Sequence, residues 1–275
     1  MIVDAHQHFW DLETGSYPWL TPDQGVLYRS YRPADLAPEL AATGVDATVL
    51  VQAADSYQET DALLALAEAQ DFVAAVVGWV PLDRPDEAAR AIERYARHPK
   101  FRGVRHLIHD EPDPDWVVQD TVLESLGLLA AAGLTFDVVS LLPRHLDHVV
   151  TLAERHPTLR LVVDHLSKPR VREHVWEPWA SQITRVAALP NVYAKVSGLV
   201  TEADHANWTV EDLRPYVDHA VGAFGPERLM AGSDWPVALL ASDYRTVWEV
   251  TSSLLGGTDR DLVLGETARR FYGIG

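Results

Sequence analysis

The sequence contains no cysteine among its 275 residues. This absence excludes disulfide bonds, catalysis by a thiolate and any metal site with cysteine ligands. A chain without disulfides suits a reducing compartment, so we expect a cytoplasmic protein.

Basic residues are also scarce, because 23 Lys and Arg stand against 40 Asp and Glu, for a formal net charge of −17. A negative surplus of this size repels the phosphate backbone of nucleic acids and anionic membrane surfaces. Long apolar runs are missing as well: no stretch reaches the roughly 18 residues of a membrane span, and no segment like a signal peptide precedes the first predicted strand. We therefore expect neither nucleic acid nor a membrane as a partner, whereas a homo-oligomer stays open.

What the sequence does contain is a regular alternation of short Val- and Ala-rich runs with helical patterns. The runs predicted as strands are Ile2–Phe9, Ala47–Ala54, Ala74–Leu82, Phe101–Ile108, Leu134–Ser140, Arg160–Ser167, Val192–Leu199 and Arg228–Pro236. The predicted helices are Ala34–Thr43, Thr60–Gln70, Pro85–Arg97, Thr121–Ala132, Leu146–Arg155, Ser181–Leu189, Asp212–Phe224, Tyr244–Leu255 and Asp261–Tyr272.

This order of elements predicts one α/β domain over residues 1–275, folded as a single (β/α)8 TIM barrel. Strands that alternate with crossover helices imply a parallel sheet, and eight such units suggest that the sheet closes. The apolar content of 47% is enough for one large core. The alternative topology is an open, doubly wound sheet, but no Gly-x-Gly-x-x-Gly follows any predicted strand.

Two histidines lie close together in the first predicted strand. Because alternate side chains of a strand point to the same face, His6 and His8 should share one face with Ile2 and Asp4. Neutral imidazole is a good metal ligand and titrates near neutrality, so the pair favours a metal or proton-transfer site. The alternative is a surface strand with two solvated histidines.

Further polar residues fall at the C-terminal ends of other predicted strands, and in a barrel these ends meet at the mouth where chemistry takes place. Arg105 lies near the end of strand four, His165 of strand six and Asp234 of strand eight. Two-residue alternation along each strand points His165 and Asp234 toward the same interior. Taken singly, His165 could be a hydrogen-bonded core histidine and Asp234 part of an Asx-type turn. Their shared position with His6 and His8 at one end of the barrel predicts a catalytic site.

Three segments resemble motifs of the amidohydrolase superfamily: Val3–His8 (V-D-x-H-x-H), Val163–His165 (V-D-H) and Gly232–Pro236 (G-S-D-W-P). More narrowly, the chain resembles the branch of lactone hydrolases that act on sugar-acid lactones such as fuconolactone and rhamnonolactone, or on pyrone-dicarboxylate. The loop segments Tyr17–Trp19 and Asp110–Asp113 look closest to the fuconolactonase-like members. The resemblance implies an enzyme that opens the cyclic ester of a small sugar acid, with a small-molecule sugar lactone as its partner.

The chain departs from the two-metal members of this superfamily, which carry a carboxylated lysine on strand four and a histidine on strand five. No lysine lies within strand four, since Lys100 precedes it, and strand five has no histidine. The resemblance therefore implies at most one divalent, zinc-like ion on His6, His8 and Asp234, with or without His165. It is equally compatible with metal-free catalysis, in which the three histidines polarise the lactone carbonyl directly.

In either case Asp234 is the predicted general base, which takes a proton from water and returns it to the ring oxygen that leaves. We expect the rate to fall at low pH as this carboxylate protonates. The long connections Trp10–Pro33 and Ser167–Pro178 should cap the mouth and carry substrate selectivity.

Arg105 and two residues of strand seven are candidate substrate contacts. Arg105 could bind a hydroxyl or stabilise the tetrahedral intermediate, or instead pair with a carboxylate such as Asp137. Lys195 and Ser197 could reach substrate hydroxyls, unless Lys195 faces the helix layer.

Two tryptophans and one glutamine are weaker candidates for substrate contact. Trp10 and Trp235 follow the catalytic motifs and could offer flat apolar walls to the C–H face of a sugar, or could simply pack. Gln52, at the end of strand two, could form a hydrogen bond with the substrate.

Three other functions stay open. One is a decarboxylase of the same superfamily that uses a single metal on the same residues, and another is a lactonase of the 2-pyrone-4,6-dicarboxylate type. The third is a barrel that binds a sugar without catalysis, which would be favoured if His6, His8 or Asp234 lay far from the mouth.

Overall fold

The computed structural model describes residues 1–255 and 259–275, and its eight parallel strands form one sheet in chain order. The strands are β1 (Val3–Gln7), β2 (Ala47–Val51), β3 (Val73–Gly78), β4 (Phe101–His106), β5 (Thr135–Val138), β6 (Arg160–Val163), β7 (Val192–Val196) and β8 (Leu229–Ala231). The sheet closes where β1 meets the segment after β8: the His8 N–H donates to the Trp235 carbonyl and the Asp234 N–H to the His6 carbonyl, both at 2.8 Å. The predicted (β/α)8 barrel is therefore confirmed.

Helices cover the outside of the sheet. They are α1 (Pro33–Thr43), α2 (Tyr57–Ala69), α3 (Pro85–Tyr95), α4 (Asp120–Ala131), α5 (Pro143–Arg155), α6 (Trp179–Ala187), α7 (Val210–Phe224), α8 (Tyr244–Leu254) and α9 (Thr267–Tyr272). Proline begins α1, α3 and α5, because its fixed φ suits the first helical position. Within the described ranges, no helix has the length and apolar content to cross a membrane.

The strands are buried on both faces, which explains why they read as near-continuous Val and Ala runs. One apolar cluster joins side chains of β2, β3 and β8, among them Val49, Val77 and Met230, with Phe271 and Tyr272 of α9. Since this cluster connects strands from different parts of the ring, it fills the barrel interior, and α9 packs against it. A larger cluster lies between the sheet and the other helices.

The structure ends all eight strands earlier than the sequence pattern predicts. β6 ends at Val163 and β8 at Ala231, so His165 and Asp234 lie beyond the strand ends rather than inside the strands. Both adopt a left-handed backbone, with φ of 53° and 57°, which is uncommon for residues with a Cβ. These turns, and not two-residue alternation, set the direction of the two side chains. The predicted strands are too long because the residues at the mouth are as buried as the strands themselves.

The expectation of one shared face on β1 holds for His6 and His8 but is wrong for Asp4. The register of the β1–β2 ladder shifts after Asp4. Asp4 accepts a hydrogen bond from the Tyr244 hydroxyl of α8 at 3.1 Å and from the Ser233 N–H at 2.8 Å. Asp4 therefore ties β1 to the helix layer and to the turn after β8.

Candidate active site

Three histidines and one aspartate meet at the C-terminal end of the barrel. His6 Nε2 and His8 Nε2 are 3.0 Å apart. Asp234 Oδ1 lies 3.7 Å from His6 Nε2, 3.4 Å from His8 Nε2 and 3.8 Å from His165 Nε2. All four residues are buried, with at most 3% of their surface exposed. The structure thus brings the four predicted catalytic residues into one group, which we call the His/Asp cluster.

Hydrogen bonds behind the rings orient His8 and His165. Nδ1 of His8 lies 2.8 Å from the Val51 carbonyl oxygen, which can only accept, so this nitrogen carries the proton and Nε2 keeps its lone pair. Nδ1 of His165 lies 2.9 Å from the Ser197 hydroxyl. Both rings are therefore held so that Nε2 faces Asp234.

Burial keeps the three histidines neutral. It lowers the pKa of His6 well below its ordinary value, lowers the pKa of His8, and lowers the pKa of His165 to about 4. The physical cause is the loss of hydration that an imidazolium would suffer in this site. Neutral imidazoles can ligate a metal ion or donate one N–H to a developing oxyanion.

Asp234 is ionised in this site. Burial alone would raise the pKa of Asp234, but the surrounding imidazoles, His165 foremost, hold it well below its usual range. The base form is therefore present through the mildly acidic range. The rate should still fall when Asp234 is protonated, but at a lower pH than an ordinary carboxyl would give.

Two glycines let the backbone approach the His/Asp cluster. A Cβ on Gly198 would lie 2.7 Å from Asp234 Oδ2 and 2.8 Å from His165 Nδ1, and this residue has a φ of +60°. A Cβ on Gly232 would lie 2.9 Å from His6 Cβ. Larger residues at either position would displace a member of the cluster.

A buried ionic layer lies behind the His/Asp cluster. Lys195 Nζ is 2.6 Å from Asp137 Oδ2, 3.1 Å from Asp164 Oδ1 and 3.1 Å from His6 Nδ1. Burial opposes ionisation of Asp164, but the Lys195 ammonium beside it holds the pKa of this carboxyl well below its usual range. Lys195 therefore faces the barrel interior and not the helix layer. Arg105 pairs with Asp164 at 3.3 Å rather than with Asp137.

A cavity of about 200 Å³ opens at the His/Asp cluster. His8, His165, Asp234 and Arg105 line its base. The other lining residues come from loops and strand ends: Trp10, Trp19, Ala53, Leu107, His109, Asp110, Val139, Leu141, Lys168 and Val237. Both long connections predicted to cap the mouth contribute to this lining.

Gln52 and Trp235 lie behind the cavity wall. Gln52 donates its side-chain amide to Asp55 at 2.8 Å. Trp235 is 3% exposed and packs its ring against Phe9 and Tyr31, with centroids 5.9 and 5.2 Å apart. The structure brings neither side chain to the cavity.

Asp164 is a site residue that the sequence analysis missed. It directly precedes His165 in the V-D-H segment, and a carboxylate beside a candidate ligand was the available signal. Lys195 and Ser197, predicted as substrate contacts, instead touch His6 and His165. Most other cavity residues were also missed, because the sequence pattern gives no direction for loop side chains; the polar and aromatic ones are Trp19, His109, Asp110 and Lys168.

A larger cavity of about 430 Å³ lies between the first long connection and α2. Glu59 in its wall accepts hydrogen bonds from the Tyr17 hydroxyl at 2.8 Å and the Ala53 N–H at 3.0 Å. Burial raises the pKa of Glu59 to about 7. No member of the His/Asp cluster lines this cavity, so the smaller cavity is the candidate active site despite its size.

The His/Asp cluster has the donor atoms for one divalent ion. His6, His8 and Asp234 each offer a ligand atom within 4.8 Å of one another, and nitrogen and oxygen donors suit zinc. The His8 lone pair faces the Asp234 carboxylate at 3.4 Å, an approach of two acceptors that a cation would stabilise. The only other such group among the described residues, His6, Asp164 and His165, shares two members with the cluster. These residues therefore fit a single ion.

The closed barrel, the His-x-His pair at the end of β1 and the aspartate after β8 place a His/Asp site at the mouth of a (β/α)8 barrel, where the enzymes of this fold carry their active sites. A family model described as amidohydrolase matches residues 3–274. The chain belongs to this amidohydrolase family.

Two curated relatives are similar to the chain over nearly its full length. The chain is 41% identical over 281 residues to the L-fucono-1,5-lactonase of Burkholderia ambifaria, covering 99% of this chain and 95% of that protein. It is 39% identical to the L-fucono-1,5-lactonase of Burkholderia multivorans, covering 99% of this chain and 96% of that protein. The predicted resemblance to the sugar-lactonase branch is thereby confirmed.

A solved structure agrees with the fold, and it contains a metal. An amidohydrolase from Burkholderia multivorans, crystallised with bound zinc, has a TM-score of 0.93 to this chain at 37% identity, over 100% of both chains. The zinc belongs to that protein. A zinc-bound relative and the nitrogen and oxygen donors of the His/Asp cluster both fit binding of a divalent metal.

Proposed function

We propose that this protein hydrolyses the lactone of a small sugar acid, with L-fucono-1,5-lactone as its best substrate. The observation that carries the proposal is the full-length similarity to two L-fucono-1,5-lactonases. A buried His/Asp cluster at the base of a small cavity supports it, since ester hydrolysis needs a base and a site for an oxyanion.

Asp234 acts as the general base of the proposed reaction. Its carboxylate takes a proton from a water molecule while the water oxygen bonds to the lactone carbonyl carbon. In the tetrahedral intermediate the carbonyl oxygen carries the negative charge. When the bond between this carbon and the ring oxygen breaks, Asp234 returns its proton to the ring oxygen. The product is an open-chain hydroxy acid, which ionises at neutral pH and releases one proton.

Ring N–H groups hold the negative charge that develops on the carbonyl oxygen: His165 presents an N–H when Ser197 donates to its Nδ1, whereas His8 is protonated at Nδ1 and presents only a lone pair. The histidine rings are fixed in a buried site, where an N–H donor stabilises an oxyanion more than it would in water. A divalent ion, when held by His6, His8, His165 and Asp234, would supply a Lewis acid at this position. Arg105 adds positive charge at the cavity wall.

The cavity wall suits a deoxysugar lactone. Trp10, Trp19 and Val237 present apolar surface, whereas His109 and Lys168 present polar groups. A six-carbon deoxysugar lactone has a methyl group and a C–H face for the apolar wall, and ring hydroxyls for the polar groups.

A lactone panel tests the proposal. Purified protein is mixed with L-fucono-1,5-lactone, other aldonolactones and pyrone-dicarboxylate, and acid release is followed with a pH indicator against the spontaneous rate without protein. We expect L-fucono-1,5-lactone to be hydrolysed fastest. Hydrolysis of pyrone-dicarboxylate alone would show that the sugar assignment is wrong, and no turnover of any lactone would refute lactonase activity.

A further inference from the structure

His6 has two competing partners on the Nδ1 side of its ring. Lys195 Nζ lies 3.1 Å from Nδ1 in hydrogen-bonding geometry. An ammonium can only donate, so this contact requires an unprotonated Nδ1. Asp164 Oδ1 lies 3.3 Å from the same nitrogen, and a carboxylate can only accept, so that contact requires a protonated Nδ1. A neutral ring has one N–H proton and cannot satisfy both partners.

The contacts on this side favour Lys195. Its side chain is fully buried, and the ammonium faces His6, Asp137 and Asp164 at 2.6 to 3.1 Å. Asp164 Oδ1 pairs with the Lys195 ammonium at 3.1 Å, closer than its 3.3 Å approach to His6 Nδ1. These contacts therefore fit the neutral form of His6 in which Nδ1 accepts a hydrogen bond from Lys195 and Nε2 carries the proton.

The opposite side of the ring requires the same form. His8 donates its Nδ1 proton to the Val51 carbonyl, which leaves His8 Nε2 as an acceptor. In the metal-free protein, His6 Nε2 lies 3.0 Å from that acceptor; two lone pairs at this distance would repel, so His6 Nε2 carries the proton. Contacts on both sides of the ring thus agree on a His6 protonated at Nε2.

We infer that Lys195 is a positioning residue: it selects the form of His6 that is protonated at Nε2 and so opposes metal binding at this ring. Asp164 is the acceptor for the alternative form, protonated at Nδ1, which can ligate a metal. A metal ligand needs the Nε2 lone pair, so the ring proton must move to Nδ1. There it meets Asp164 Oδ1 as an acceptor and the Lys195 ammonium as a repelling donor. Lys195 and Asp164 together therefore decide whether Nε2 of His6 carries a proton, as an N–H donor, or offers its lone pair to a metal ion.

This inference concerns the same site as the proposed function, and its consequence for catalysis rests on that function. In the Nε2–H form, His6 donates to His8 Nε2 and fixes that ring at the base of the cavity. In the other form, it helps to hold the ion. The position of the His6 proton does not depend on any substrate. A failed lactone assay would therefore refute the proposed function only, and a different position of the proton would refute this inference only.

Nitrogen NMR of the full-length, metal-free protein with ¹⁵N-labelled histidine rings tests the assignment directly. Protonated and unprotonated ring nitrogens have different shifts, and the His6 signals are identified by their loss in a His6→Gln variant. We expect His6 to be protonated at Nε2 and His8 at Nδ1. A His6 ring protonated at Nδ1 without metal would overturn the inference.

Zinc affinity, measured by chelator competition, tests the role of each partner. Residues behind a metal ligand commonly change affinity about 10–100-fold. We expect Lys195→Met to bind zinc at least tenfold more tightly and Asp164→Asn about tenfold more weakly. Unchanged or opposite affinities would remove the corresponding residue from this role. If Lys195→Met does not fold, the Lys195→Met/Asp137→Asn variant, which removes both charges of the buried pair, takes its place.

Lys168→Met is the matched control for charge. Lys168 lies at the same cavity and pairs with Glu202 at 2.9 Å, so its removal also deletes one positive charge near the cluster without touching His6 Nδ1. We expect zinc affinity to change by less than threefold. If this variant tightens zinc binding as much as Lys195→Met, the effect is one of overall charge and the positioning role of Lys195 is refuted.

Discussion

Gly198 shows how closely the backbone approaches the reacting groups. An alanine there would place a Cβ within 2.8 Å of both Asp234 and His165, at a φ of +60°. We expect Gly198→Ala to lower kcat/KM at least tenfold, since a small displacement of catalytic groups is costly. It should also destabilise the fold by about 1–3 kcal/mol, because the left-handed backbone is strained for alanine.

Gly44→Ala separates these two effects. Gly44 has a φ of +70°, but a Cβ there would meet nothing within 4 Å. The control should therefore lose stability in urea unfolding while kcat/KM stays near the wild-type value. Equal activity of the two variants would show that the close approach of Gly198 does not matter for the site.

The residues whose convergence in one cluster could be predicted are those in short, dense motifs. His6 and His8 are two positions apart, and Asp234 sits between Gly232 and Pro236, so type and spacing indicated chemistry. Lys195 is different, because nothing in the spacing of a single lysine distinguishes a substrate contact from a partner of His6. That distinction needs the positions of Asp137 and Asp164 on other strands.

The first long connection is fixed to α2 through Glu59, and this contact should make stability depend on pH. Burial raises the pKa of Glu59 from 4.5 to about 7. A raised carboxyl pKa means that the folded state holds the proton more tightly than the unfolded state. The contribution of Glu59 is therefore fully present below pH 4.5 and is lost as pH rises to about 7.

We expect Glu59→Gln to gain stability relative to wild type as pH rises. Glutamine keeps an oxygen that can accept from Tyr17 and Ala53, but it has no charge to bury. The difference in free energy of unfolding should move in favour of the variant by about 3 kcal/mol between pH 5 and pH 8. Urea unfolding at the two pH values measures it. Glu154→Gln, an exposed carboxyl on α5, should show no such change, and a pH-independent difference for Glu59→Gln would contradict the buried-carboxyl account.

The existence of the strands could be predicted, whereas their ends could not. Buried parallel strands are nearly continuous apolar runs, and these runs continue into the equally buried residues of the mouth. Where β6 stops is decided by the left-handed turn that begins at His165, and a non-glycine residue gives no sequence signal for such a turn.

The whole barrel offers a place for one metal ion and not two. The two candidate ligand groups among the described residues share His6. The second group meets His6 near Nδ1, where the Lys195 ammonium lies 3.1 Å away and repels a cation. We expect elemental analysis of the purified protein to find no more than one equivalent of divalent metal per chain. Two tightly held equivalents would contradict this geometry.

The architecture of the molecule followed from the sequence because it repeats, whereas the shape of its substrate cavity did not. Eight strand–helix units bring the strand ends to one mouth in any closed barrel. The cavity wall depends on loop side chains such as Trp19, His109 and Lys168, which have no period in sequence. The reaction class is therefore easier to predict than the particular sugar.

The central claim is that Asp234 takes the proton from water at the base of this cavity. Asp234→Asn keeps the shape of the side chain and removes the proton acceptor. Steady-state kinetics on the best lactone should show kcat reduced roughly 10²–10⁴-fold with little change in KM. The wild-type rate should hold from neutral pH down to about pH 5, because Asp234 stays ionised and the pKa of His165 is only about 4. A folded Asp234→Asn protein with near-normal kcat would remove Asp234 from the mechanism and contradict the account.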